Sequence, residues 1–139
     1  MSTDPEPIEY PTRSEILEIH KRAVEGFGGH RGVREPQAID AVLARPEQLR
    51  AYGDDDIGLS RCAAAIAAGF CRIHHPVVDG NKRVAFAAAA YTLFLNGYEL
   101  DVREADATHN VLALSAGETS EDAFARWLDA NMVPLIEAE

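Results

Sequence analysis

The chain has 139 residues, enough for one domain with a real core, and its 47% hydrophobic and 26% charged composition excludes a disordered or membrane-embedded protein. A net charge of −10 excludes a broad nucleic-acid-binding face, which needs a basic surface, and no direct DNA binding is expected. It leaves room for a small phosphate site, because the field at a site depends on local charge.

Residues 1–11 include Pro5, Pro7 and Pro11 and show no periodicity, so they are read as an irregular tail before a domain spanning 12–139. The opening stretch is acidic and lacks an apolar signal region, so a cytoplasmic location is expected. Thr12 and Glu15 have capping-box spacing, and Ile16, Leu17, His20, Val24 and Phe27 follow at helical intervals until Gly28-Gly29. A loop, 29–34, leads to a short helix with Pro36 in its first turn and Ile39, Val42 and Leu43 on one face. Pro46 is expected to close it or to begin a new turn. Tyr52-Gly53-Asp54-Asp55-Asp56 reads as an acidic connection.

Ser60 to Ile73 is alanine-rich, favouring helix and close helix–helix approach. Cys62 and Cys71 both fall in this helix, ~13 Å apart at the helical rise, too far for a disulfide. Val84 to Asn96 is apolar almost all round, which predicts a buried helix ending near Gly97, and it is too short and too soon followed by charge to span a membrane. Tyr98 to Val102 alternates and is expected to be extended. Helices are predicted over Glu104–Leu114 and Ser120–Met132, the latter anchored by Phe124, Trp127 and Leu128. The fold class is all-α: one compact domain of about six helices around a central buried pair joined by residues 75–81.

That joining loop, His75-Pro76-Val77-Val78-Asp79-Gly80-Asn81-Lys82-Arg83, concentrates the chemistry. Pro76 disfavours helix in the residue before it, which stops the first central helix at His74 or His75. Asp79-Gly80 is a turn pair, and the helix beginning near Asn81 offers free N–H groups and a dipole to an anion. Arg72, His74, His75, Lys82 and Arg83 oppose the single acid Asp79 from 72 to 83, a basic island in an acidic chain. Histidine is suited to take a proton near neutral pH, and Asp79 to hold a Mg²⁺ ion bridging phosphates. A capped turn with a structural histidine accounts for each residue taken singly; the combination points to phosphate chemistry. His20, His30 and His109 read as structural or solvent-facing, and Arg31 and Arg34 as a loop near the target or plain surface charge.

The loop resembles the Fic/Doc signature H-P-F-x-D/E-G-N-G/K-R, and eight of nine positions fit. Phe27-Gly28-Gly29, Gly32-Val33-Arg34 and Ala41 to Pro46 are similar to the N-terminal region of the Doc branch, and the likeness extends over about Ile8 to Met132. The resemblance implies that His75 activates the target hydroxyl, Asp79 binds Mg²⁺, Gly80 and Asn81 form the phosphate-binding turn, and Lys82 and Arg83 hold phosphates. His75, Asp79 and Arg83 are thus the expected catalytic set.

Two positions depart from the signature. Val77 replaces Phe, so a looser loop is expected. Lys82 stands where AMP-transferring members carry a second glycine, and Phe86 where they carry an arginine. In the Doc branch that lysine accompanies a reversed nucleotide. The implied activity is transfer of phosphate from ATP to a protein hydroxyl, by resemblance a threonine of elongation factor Tu, with translation blocked. AMP transfer and a non-catalytic binding module are the alternatives. The inhibitory pattern S/T-x-x-x-E-G/N is missing, since Lys21 stands four residues before Glu25-Gly26. Inhibition is therefore expected from a separate antitoxin docking a helix or tail.

Overall fold

The computed structural model describes residues 7–53 and 57–135, apart from the side chain of Phe27. The first six residues of the expected tail and the Asp54-Asp55-Asp56 part of the acidic connection lie outside them. Within the described residues the chain forms α1 (Arg13–Phe27), α2 (Pro36–Tyr52), α3 (Leu59–Ala68) running into a π-helical turn (Gly69–Ile73), α4 (Asn81–Leu95), β1 (Tyr98–Leu100), α5 (Glu104–Ala116), α6 (Glu121–Asn131) and β2 (Met132–Pro134). This is the expected all-α architecture with one two-stranded addition.

The α3–α4 pair forms the centre. Cys62 to Ala68 are all fully buried, and Ala85, Ala88 and Ala89 of α4 are equally enclosed. Methyl side chains let two helix backbones approach closely while α2 and α6 pack on the remaining faces of α3. Larger groups fill the periphery of the same core: Ile16 from α1, Ile39 and Val42 from α2, Leu114 from α5, and Phe124 and Leu128 from α6. No helix among the described residues is long and apolar enough to cross a membrane.

Local signals set several boundaries. Thr12 Oγ1 accepts from Glu15 N–H at 3.1 Å while Glu15 Oε1 accepts from Thr12 N–H at 2.9 Å, completing the capping box that starts α1. Asn96 caps α4, and Gly97 follows with φ +95°. Ser120 accepts from Ala123 N–H at 3.0 Å and starts α6.

Three expectations need correction. Pro46 neither ends α2 nor starts a turn: the helix runs through it to Tyr52. Ile39, Val42 and Pro46 form one buried stripe, and the guanidinium of Arg45 bonds Ala65 O and, at 2.9 Å, Glu121, so packing outweighs the lost N–H. The first central helix is not α-helical throughout, because its last turn is π. The final helix stops at Asn131, where the chain becomes β2 and pairs antiparallel with β1, Leu100 opposite Met132 and Tyr98 opposite Pro134. Residues 7–11 have no regular structure, yet they are held: Glu9 N–H donates to Asn96 Oδ1 at 2.9 Å, and Tyr10 packs against the core.

Candidate active site

The π-turn decides how the catalytic loop begins. His74 N–H reaches back five residues to Gly69 O at 2.9 Å. The next residue, His75, has φ +46°, the only positive value outside glycine among the described residues. Such a conformation costs of order 1–3 kcal/mol and persists only where neighbours enforce it. One restraint is Pro76, which drives the preceding residue out of the helical region. Another is the ring itself: His75 Nε2–H donates to Cys71 O at 3.0 Å. A carbonyl can only accept, so Nε2 carries a proton, and in the neutral form of the ring Nδ1 is the nitrogen with the lone pair. The neutral imidazole is thus held as one tautomer.

Residues 76–79 then run against the loop 29–35. Arg34 N–H donates to Pro76 O at 2.7 Å and Val78 N–H to Gly32 O at 3.0 Å, with Val33 and Val77 bridged antiparallel. Val77 is 0% exposed. The Asn81 side chain clamps the same residue, accepting from Val77 N–H at 3.2 Å and donating to Val77 O at 2.8 Å. Valine in place of phenylalanine offers less bulk for packing, and backbone pairing with Val33 and the Asn81 amide also hold the residue. The Asn81 amide is accordingly spent on shaping the loop.

Asp79 is oriented at two atoms. Its Oδ2 accepts from His30 N–H at 2.7 Å, and its backbone O accepts from His20 Nε2–H at 2.9 Å. His20 is 3% exposed, lying beneath the turn, where its ring also contacts Gly80. Among the described residues Oδ1 has no hydrogen-bond partner, and no cluster of three metal-ligating side chains occurs. One carboxylate is a fitting donor set for Mg²⁺ only when substrate phosphates supply further ligands, which is how Mg²⁺ is usually held. Gly80 takes φ +95° to turn the chain into α4. The N-cap residue, Gly80, has no side chain to cap that helix start, and a helix N-terminus is by its dipole a favourable place for an anion.

These residues converge on one cleft of about 1120 Å³, lined by all six sequence-predicted positions: His75, Asp79, Gly80, Asn81, Lys82 and Arg83. Apolar side chains share the lining, among them Ile19 of α1, Phe86 of α4, and Val111 and Leu112 of α5, together with the polar Arg22, Glu104 and Thr108. A cleft whose lining mixes charged and apolar side chains suits a ligand with both a charged and an apolar part. The basic island does not all face it. Lys82 and Arg83 do, whereas the Arg72 guanidinium lies over Gly117 at the C-terminal end of α5, a favourable place for a cation, and His74 caps the π-turn.

Sequence reading missed three contributors. His20, read as structural or solvent-facing, is structural: it holds the Asp79 carbonyl, and what one segment did not show is that this partner lies 59 residues away. Cys71 lines the cleft, and burial pushes its thiol up to about 11. Ser115 Oγ–H donates to Cys71 O at 3.0 Å, a contact across 44 residues that no local pattern announces.

The Fic/DOC family model matches residues 10–93, the stretch from Tyr10 through the catalytic loop and most of α4. The chain is also 40% identical over 110 residues to "Toxin Doc" of Mycolicibacterium smegmatis, covering 76% of this chain and 81% of that protein. With the signature loop folded as a histidine-bearing helix exit, a glycine turn and an uncapped helix start, the chain belongs to the Fic/DOC family.

Proposed function

We propose that this protein is the toxin of a toxin–antitoxin pair and transfers the γ-phosphate of ATP to a hydroxyl of a target protein. The observation that carries this reading is Lys82, in the first turn of α4 and on the cleft wall beside the uncapped N–H groups. A glycine there would leave space for an α-phosphate against the backbone. A lysine fills that space with charge and favours the terminal phosphates at this end. Phe86, also on the cleft wall, supplies apolar surface where AMP-transferring members place an arginine.

In this reading His75 Nδ1 accepts the proton of the target hydroxyl as its oxygen bonds to the γ-phosphorus and the bond to the departing ADP oxygen breaks. The proton then passes to solvent. Lys82, Arg83 and the α4 N-terminus offset the charge on the phosphates, and Asp79 would hold Mg²⁺, which supplies further charge neutralisation when bound. Catalysis here is mostly positioning and electrostatics, as in phosphoryl transfer generally. The target is a threonine of elongation factor Tu, and inhibition comes from an antitoxin helix or tail.

Incubation with α-labelled and γ-labelled ATP, purified elongation factor Tu and lysate tests the reading. Label is expected on protein from the γ-position only and is expected to vanish in His75→Ala. Label from the α-position alone would establish AMP transfer instead. Growth arrest by His75→Ala equal to that of the unaltered chain would leave a non-catalytic binding module.

A further inference from the structure

The carbonyl of Cys71 receives hydrogen bonds from two helical systems at once. His75 Nε2–H donates to it at 3.0 Å, and so does Ser115 Oγ–H, also at 3.0 Å. The π-turn explains why this carbonyl is open to side chains. Continuing the pattern by which His74 N–H bonds Gly69 O, Cys71 O would look to residue 76, and Pro76 has no N–H. A carbonyl oxygen has two lone pairs, and the two side chains account for both.

Ser115 is an unusual donor for this purpose. A serine inside a helix commonly turns its hydroxyl back onto the carbonyl one turn earlier. In the last turn of α5, Ser115 instead reaches out of its helix to Cys71. Val111 and Leu112 of the same helix line the cleft that His75 also lines.

We propose that Ser115 is a positioning residue for His75. By holding the Cys71 carbonyl it presents the remaining lone pair to His75 Nε2–H, keeps the proton on that nitrogen, and leaves Nδ1 basic. It also ties the base to α5, so these two parts of the cleft lining keep one spacing. The strained backbone of His75, φ +46°, makes this restraint necessary: without it the 71–72 peptide can rotate and the imidazole loses its fixed acceptor. The assignment rests on His75 acting as the base in the reaction proposed above.

The test is ¹⁵N NMR of histidine-labelled full-length protein at pH 8, where an ordinary imidazole is neutral. The unaltered protein is expected to show His75 as one tautomer, protonated on Nε2. Ser115→Ala is expected to show a mixture of both tautomers. Its kcat for target labelling falls roughly 10- to 100-fold, the size of effect that slight misplacement produces, with the KM for ATP unchanged. Ser115→Thr, which keeps the hydroxyl, restores both. Alanine is the better helix former, so the Ser115→Ala chain should fold, and a far-ultraviolet spectrum checks it. A single Nε2–H tautomer with full kcat in Ser115→Ala would overturn the proposal, as would failure of Ser115→Thr to restore either property. The NMR readout needs no turnover. An unaltered protein with one His75 tautomer but no transfer of label would fault the kinase reading and leave the positioning role standing.

Discussion

Cys71 contributes two groups to the active site, and they are used differently. Its carbonyl is the acceptor for His75 and Ser115, while its thiol sits 1% exposed at the cleft wall. Burial disfavours the thiolate, so the folded-state pKa rises from 9.0 to about 11. The sign follows from linkage. Below about 9 the thiol is protonated in both states and its contribution to stability is fully present; as pH rises towards about 11 the unfolded chain ionises first and that contribution is lost. Urea unfolding of the unaltered protein and of Cys71→Ala, compared from pH 8 to 11, should show a steeper loss of stability in the unaltered chain. Parallel curves would contradict it. The same depressed thiolate population predicts slow alkylation of Cys71 at pH 8, against fast alkylation once unfolded.

At the scale of elements, the exit of α3 decides more than its length. An alanine-rich run was readable as a helix up to Ile73, and its stop at Pro76 followed from proline chemistry. The conversion of its last turn to π geometry was not readable, since propensity does not separate α from π. The π-turn packs tightly on α2: a Cβ on Gly69 would stand 2.7 Å from Val42 Cγ1. Valine is stiff at χ1 and fully buried here, so it cannot swing aside. Gly69→Ala should destabilise by about 1–3 kcal/mol, the usual cost of overpacking. Adding Val42→Ala should recover part of that loss, so the double variant falls short of the sum of the singles in denaturant unfolding. Additive losses would place the strain elsewhere. Pro46 teaches the converse. A helix-interior proline reads as a boundary, yet the buried stripe of α2 and the anchoring of Arg45 carry the helix through it.

Over the whole molecule, charge and packing are divided between ends. Against the −10 net charge, the cleft lining carries three cations, Arg22, Lys82 and Arg83, and two acids, Asp79 and Glu104, so its local balance differs in sign from the global one. Away from the cleft, Glu121 fastens α6 to the two helices beneath it, accepting from Arg45 and from Arg61 at 2.9 Å each, with the carboxylate side chain 16% exposed. Removing it leaves two largely buried guanidiniums with one partner fewer each, Arg45 keeping Ala65 O and Arg61 keeping Asp122. Glu121→Ala should cost about 1–3 kcal/mol, below the range for fully buried pairs because solvent still reaches these groups. The cleft lies elsewhere, so the activity of the folded fraction should be unchanged. A loss under 0.5 kcal/mol, roughly the scatter of ordinary surface changes, would show the cluster to be mere surface charge.

The chain's own pattern determined the helices, the central α3–α4 pair and the nine-residue signature loop, because each is written in neighbouring residues: alanine content, the Thr12–Glu15 box, the His75-Pro76 stop, the Asp79-Gly80 turn. Tertiary structure alone decided which nitrogen of His75 is basic, which atom of Asp79 is tied, and how Val77 is held. The acceptors and donors concerned are Cys71 O, Ser115 Oγ, His30 N–H, His20 Nε2 and the Gly32–Arg34 backbone. Most of those bonds join residues more than 40 positions apart, and a hydrogen bond's direction depends on where the fold brings its two ends together, which periodicity in one segment does not encode.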